Sequence, residues 1–158
     1  MRSNRKRILT AVTAASAAAS LGVLIFAGSP ADATPGSGAE GTIVAQGTTD
    51  EQVHVEAHGQ TQLVFQRVTL QPGGSTGWHT HPGPLLVVVE SGTLTHYDRT
   101  CKAHTYTAGQ ALEEPAGRHH VHMGANKGTD PAILEVTYVI PVGSPLRDEA
   151  PAPACKAE

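Results

Sequence analysis

The chain has 158 residues, of which 39% are hydrophobic and 16% are charged. This composition excludes a polytopic membrane protein and a disordered acidic chain, and the length allows one compact domain. Beyond residue 33 the chain carries seven Lys and Arg against thirteen Asp and Glu, an acidic balance that argues against nucleic acid and anionic lipid as partners.

The N-terminal 33 residues have the pattern of a secretory signal peptide. A basic stretch from Arg2 to Arg7 precedes an apolar, Ala-rich run from Ile8 to Ala27, and the small-residue triplet Ala31-Asp32-Ala33 follows. An uncleaved membrane anchor is the alternative, because about twenty apolar residues suffice to span a bilayer. Thr and Ser residues within the run favour cleavage near Ala33. We therefore expect a secreted protein with no stable membrane association after cleavage.

The chain contains two cysteines, Cys101 and Cys155. In an exported protein an even pair of cysteines forms a disulfide by default. Two separate thiols or a thiolate metal site are the alternative, although the spacing resembles no zinc motif. We expect one disulfide that ties the C-terminal tail to the domain, for which the chain-entropy relation gives about 4 kcal/mol of stabilisation.

The remainder of the sequence predicts strands separated by Gly- and Pro-containing turns, with no sustained helical periodicity. The predicted strands cover residues 61–70, 85–89, 92–97 and 133–141. Many short strands indicate an all-β sandwich or barrel. We divide the chain into a signal peptide (1–33), a linker and N-terminal strand segment (34–59), a β-domain (60–141) and a Pro-rich tail (142–158).

Two histidine pairs are the main chemical signal. In a strand, side chains at i and i+2 leave the same face, so His79 and His81 converge on one side, as do His120 and His122. His119 takes the opposite face. Imidazoles placed in this way can share one metal ion at about 2 Å each. An empty polar pocket is the alternative to a bound metal.

These residues resemble the two motifs of the cupin superfamily. Gly73 stands five residues before His79-Thr80-His81, and Gly92 falls where the first motif ends. Gly109, Pro115 and Gly117 match the second motif, with Asn126 near its end. The resemblance covers roughly residues 60–140 and implies a single module, a small antiparallel jelly-roll β-barrel. It also implies a metal held inside by histidines of both motifs.

The sequence departs from the cupin pattern at two places. Leu85 or Leu86 occupies the position of the first motif's Glu, and neither can bind a metal; Glu90, further along the same strand, is a candidate substitute. The second motif is longer by two residues. Counting from Gly117 selects His120 as the ligand, whereas counting back from Asn126 selects His122, which we favour because a longer turn explains the difference most simply.

We therefore expect His79, His81 and His122 to bind one transition metal ion, with His120 as the reserve ligand. Imidazole-rich ligation suits Zn, Fe, Ni or Cu better than Mg or Ca, and we expect the ion to be Fe, Zn, Ni, Cu or Mn. One hypothesis is a secreted metalloenzyme with dioxygenase-like chemistry on a small organic substrate. The other is a non-catalytic binding or accessory protein that holds a metal, sugar or small metabolite. The sequence leaves a homo-oligomer open.

Overall fold

Residues 36–156 are the part of the chain that the computed structural model describes, and they contain nine β-strands and no helix. The predicted signal peptide, residues 1–33, lies outside the described residues. Accordingly, nothing within residues 36–156 forms a helix that could cross a bilayer. The strands are β1 (Thr61–Leu70), β2 (His79–Thr80), β3 (Leu85–Ser91), β4 (Thr93–Tyr97), β5 (Ala103–Thr107), β6 (Ala111–Glu114), β7 (Met123–Ala125), β8 (Ala132–Pro141) and β9 (Asp148–Glu149).

The strands form three antiparallel sheets. The largest has the order β1-β8-β3-β6, a second has the order β5-β4-β7, and β2 pairs with β9. The predicted all-β jelly-roll class is confirmed. Among the described residues, the sheets are joined by isolated bridges rather than by continuous ladders, so they do not close into one hydrogen-bonded barrel.

The core follows from the alternation of side chains along β3 and β8. Leu85, Val87 and Val89 point inward from β3, and Leu134, Val136, Tyr138 and Ile140 do so from β8. A strand with one buried face places every second residue in the core. Leu94 of β4 and Leu112 of β6 complete this apolar cluster. The two larger sheets therefore both supply residues to one core, beside which the histidines lie.

Gly92, the last glycine of the first cupin motif, makes the tight turn between β3 and β4. Its φ is +74°, in the left-handed region, and an added Cβ would lie 2.6 Å from the Pro131 carbonyl oxygen. Only glycine meets both conditions without strain. The motif glycine is therefore required by the backbone conformation of this turn.

Candidate metal centre

The first histidine pair is brought directly against the second by the backbone. His79 and His122 form an isolated antiparallel bridge, in which each backbone N–H donates to the other's carbonyl at 3.0 Å. Directly paired residues project their side chains to the same face. His81 lies two residues after His79, directly beyond the end of β2. The two motifs therefore meet at one point, although His79 and His122 are 43 residues apart in sequence.

Four side chains form a buried group, which we call the metal group. It consists of His79, His81, His122 and Glu114, and one ligand atom from each lies within 4.8 Å of those of the others. All four side chains are almost completely buried. The three imidazole rings stand 4.5 to 5.1 Å apart, centre to centre. The expected three histidines are together, and the group contains a carboxylate that the sequence analysis did not include.

Backbone carbonyls fix the tautomer of each histidine in the metal group. Nδ1 of His79 donates to the Gly77 carbonyl at 2.8 Å, Nδ1 of His81 to that of Leu146 at 2.7 Å, and Nδ1 of His122 to that of His120 at 2.7 Å. With the proton on Nδ1, the Nε2 lone pair of each ring is free. Metal-ligating histidines are oriented in this way by an outer hydrogen bond.

Glu114 occupies the place that the cupin pattern reserves for the Glu of its first motif, but it comes from another strand. Leu85, which stands at the motif position, is paired with Glu114 across β3 and β6. Glu114 Oε2 lies 3.2 Å from His81 Nε2 and 3.4 Å from His122 Nε2. The site thus contains a carboxylate on the strand next to the motif position.

His96 of β4 is a fifth polar residue beside the metal group. Its Nε2 lies 3.5 Å from Glu114 Oε1, and its ring stacks on His122 with centroids 5.1 Å apart. Glu114 therefore faces His81 and His122 with one oxygen and His96 with the other. His96 is not among the site residues predicted from the sequence, because it is the one histidine of β4 and belongs to neither motif.

The charges of the metal group depend on burial and on Glu114. Burial lowers the pKa of His79 to about 4, so this imidazole is neutral at pH 7. Burial alone would raise the pKa of the Glu114 carboxyl, but the imidazoles of His122, His81 and His96 hold it well below its usual range. Burial would lower the pKa of His122, yet the adjoining Glu114 carboxylate raises it.

The donor set fits a transition metal ion. Nε2 of His81, His96 and His122 is buried and makes no aligned hydrogen bond, an arrangement that costs free energy unless a proton or a cation occupies the space between the lone pairs. Three imidazole nitrogens and one carboxylate oxygen suit Zn, Fe, Ni, Cu or Mn. A cavity of about 50 Å³ beside the group, lined by His79, His81 and Glu114, leaves room for little more than a water or a diatomic molecule.

The other sequence candidates lie away from the metal group. The ring of His120 is exposed, and this residue contributes only its carbonyl, which orients His122. Glu90 is paired with Arg67 at 3.0 Å on the exposed side of the sheet. His119 is also exposed. Asn126, the motif residue used to count back to His122, is buried and holds a turn by donating to the carbonyls of Leu70 and Asp130.

One sequence signal could have identified Glu114. It follows the inward-facing Leu112 by two residues, so it shares the buried face of β6. It also directly precedes Pro115 of the second motif. A carboxylate on the inner face of a strand, next to a motif residue, is a stronger candidate than the exposed Glu90.

The predicted disulfide is present in the structure. Cys101 and Cys155 are bonded, with their Cα atoms 6.0 Å apart. Cys101 lies in the β4–β5 turn, where its φ of 61° is left-handed. The C-terminal segment is thereby held to this turn, and earlier in the same segment Leu146 orients His81.

Comparison with known proteins agrees with the site geometry. The family model described as "Cupin domain" matches residues 66–140, a range that contains the whole metal group. The matched region, residues 66–140, is a cupin domain. A search of curated proteins gave no match.

Among solved structures, this chain is similar to a sugar phosphate isomerase from Silicibacter pomeroyi, with 28% identity and a TM-score of 0.44. The match covers 48% of this chain and 49% of the other. It is similar to a cupin-like protein from Thermotoga maritima, at 24% identity and a TM-score of 0.48, over 59% and 66%. A predicted oxalate decarboxylase from Thermotoga maritima matches at 24% identity and a TM-score of 0.44, over 49% and 65%. The match spans less than two thirds of each of these chains.

Proposed function

We propose that this cupin domain binds one transition metal ion through Nε2 of His79, His81 and His122 and through the carboxylate of Glu114, and that it acts on a small organic substrate with dioxygenase-like chemistry. One observation carries the metal proposal. Three buried imidazoles each donate Nδ1–H to a backbone carbonyl and present their Nε2 lone pairs towards one buried carboxylate.

The residues of the metal group provide neutral nitrogen donors and one negative charge. The histidines are neutral donors when a cation is bound, and Glu114 supplies the single negative charge, which leaves a divalent ion with a net positive site. A bound ion of this class supplies Lewis acidity or, if it is redox-active, activation of dioxygen. Leu85, Val87 and Leu134 give the inner cavity beside the group an apolar wall.

A non-catalytic metal-binding protein is the second candidate, and one observation favours it. The inner cavity beside the metal group has a volume of only about 50 Å³, whereas pockets for organic ligands usually measure about 300–1,000 Å³. A substrate must therefore approach from outside the inner cavity. The wider cavity of about 460 Å³, which His122 and His96 help to line, is the approach that we propose.

Oxygen uptake separates the two candidates. Untagged protein is loaded in turn with Fe, Zn, Ni, Cu or Mn and assayed in an oxygen electrode against a panel of small carboxylic acids, diols and diketones. The enzyme proposal predicts uptake with a redox-active ion and none with His79→Ala treated in the same way. Stoichiometric metal binding without uptake on any compound would favour the binding protein.

We also propose that the protein is exported and that the mature chain begins near Thr34. The basic run, apolar run and Ala31-Asp32-Ala33 triplet support this proposal, and a disulfide is compatible with an oxidising compartment. Intact-mass spectrometry of the protein from the culture medium is the test. A secreted form that still contains residues 1–33 would contradict the proposal.

A further inference from the structure

A groove leads from the metal group to the C-terminal tail, and we call it the outer groove. Its inner half, about 460 Å³, includes His122 and His96, and its outer half, about 380 Å³, includes Pro151 and Pro153. Both halves share Arg99, Thr100, His119 and Val121. The two cavities are therefore adjoining parts of one depression. At its inner end a bound molecule would lie against His122.

The outer groove is positively charged on a negatively charged protein. Arg99 lines both halves, and Arg118 lines the outer half. Both side chains are exposed, and within residues 36–156 neither forms an ion pair. Asp98 is the one acid among the lining residues, and its Oδ1 already accepts hydrogen bonds from Thr100 N, Thr100 Oγ1 and Lys102 N. The groove therefore carries two guanidinium groups without ion-pair partners against one carboxylate, a net positive charge.

We propose that the outer groove binds a small organic anion, with its carboxylate or phosphate on Arg99 and Arg118 and its remaining part directed towards His122. This inference rests on the proposed function, because it names the substrate class that would reach the metal group. Guanidinium groups pair with carboxylate and phosphate through two parallel hydrogen bonds. The groove also has the volume of an ordinary small-molecule site, which the inner cavity lacks.

The disulfide holds the two walls of the outer groove in place. Cys101 belongs to the turn that carries Arg99 and Thr100, and Cys155 follows Pro151 and Pro153 of the opposite wall. The Sγ of Cys155 also lies 3.8 Å from the Arg99 carbonyl oxygen. Walls that are joined covalently lose little further freedom when a ligand binds, so the groove is preorganised.

Isothermal titration calorimetry on the zinc-loaded, full-length chain tests the inference with three probes. Malonate carries the proposed carboxylates, malonamide is its neutral isostere, and inorganic phosphate represents phosphorylated ligands. The variant Arg99→Gln with Arg118→Gln removes both guanidinium groups. Its matched control, Arg67→Gln with Lys127→Gln, removes two exposed cations that do not line the groove.

We expect wild type and the control variant to bind malonate and not malonamide. The groove variant should bind malonate at least about tenfold more weakly, a loss that corresponds to one charge-assisted hydrogen bond. Tighter binding of phosphate with the same arginine dependence would identify a phosphorylated ligand. Equal malonate affinity in the groove variant, equal affinity for malonamide, or no anion binding in wild type would overturn the inference.

The metal-free protein distinguishes failure of this inference from failure of the metal proposal. The titrations are repeated after treatment with a chelator. Arginine-dependent malonate binding by a chain that takes up no metal would support the groove and refute the metal site. A metal-loaded chain whose malonate binding ignores both arginines would support the metal site and refute the groove.

Discussion

Leu85 and Glu114 face each other across β3 and β6, and this pair decides where the carboxylate of the metal group comes from. In an antiparallel sheet, directly opposed residues share a face and their Cβ atoms lie about 4.5–5.5 Å apart. A carboxylate can therefore move from one member of the pair to the other and still reach the same point. In this chain Leu85 is the apolar member of the pair, and it packs in the core.

Exchanging the two residues tests this explanation. We expect Glu114→Leu to weaken zinc binding by more than about 100-fold, since even changes to outer partners of a metal ligand cost about 10- to 100-fold. The double variant Leu85→Glu with Glu114→Leu should recover binding to within about tenfold of wild type. Competition with a chromophoric chelator measures both affinities. A double variant that binds no better than Glu114→Leu would show that position 85 cannot replace position 114.

The depressed pKa of His79 predicts how acid affects the metal-free protein. The unfolded chain protonates this histidine near pH 6.5, whereas burial keeps it neutral in the folded chain down to about pH 4. Between these values the unfolded state binds the additional proton, so His79 lowers stability progressively as the pH falls through this window. Urea denaturation of metal-free protein at pH 7.5 and pH 5.0 should show a smaller loss of stability in His79→Gln than in wild type.

The exposed His54 provides the control for this measurement. His54→Gln should lose as much stability between the two pH values as wild type does. If His79→Gln and wild type lose equal amounts, the lowered pKa of His79 is refuted.

At the scale of elements, the short segment before β7 decides which histidine of the second motif reaches the site. Residues 117–120 form a turn, closed by donation from His120 N to the Gly117 carbonyl at 3.0 Å. His122 then pairs with His79. The two extra residues of the motif are taken up before the strand, as the sequence analysis favoured, and the turn leaves the His120 ring in solvent.

Alanine variants of this segment should therefore differ in metal content. His122→Ala should bind no metal, because the substitution removes one nitrogen ligand. The variant should still fold, because the backbone hydrogen bonds between residues 79 and 122 do not need the side-chain bond from His122 to the His120 carbonyl. His120→Ala should retain one ion per chain, because its carbonyl remains. Elemental analysis after gel filtration, with circular dichroism as the check on folding, measures both. Loss of metal in His120→Ala and its retention in His122→Ala would reverse the assignment.

The sequence predicted those elements whose information is local. Alternating apolar residues and Gly-Pro turns indicated strands at 61–70 and 133–141, and the structure has strands at Thr61–Leu70 and Ala132–Pro141. Alternation with Leu112 could have placed Glu114 on an inner strand face, but its position opposite Leu85 depends on pairing between strands. His96 likewise reaches the metal group only through the pairing of β4 with its neighbours. The contact of His81 with the Leu146 carbonyl depends on the return of the C-terminal segment, which no local pattern encodes.

At the scale of the whole molecule, the disulfide is expected to stabilise the fold without contributing a ligand. The variant Cys101→Ser with Cys155→Ser opens a loop whose ends are 54 residues apart and should lower the free energy of unfolding by about 4 kcal/mol. Differential scanning calorimetry should show a lower Tm, and metal content should stay at the wild-type value. An unchanged Tm would contradict the stabilising role of the disulfide. Loss of the metal from folded protein would contradict the claim that the disulfide does not contribute to the metal site.

The central claim is that the metal group holds one transition metal ion, and elemental analysis of untagged protein tests it most directly. Wild type, as purified or after titration with Zn²⁺ at pH 7.5, should contain one ion per chain. His79→Ala and His81→Ala should be folded and contain none, whereas His119→Ala, which changes an exposed histidine, should keep its ion. A folded wild-type chain that carries no metal and binds none on titration would contradict the claim.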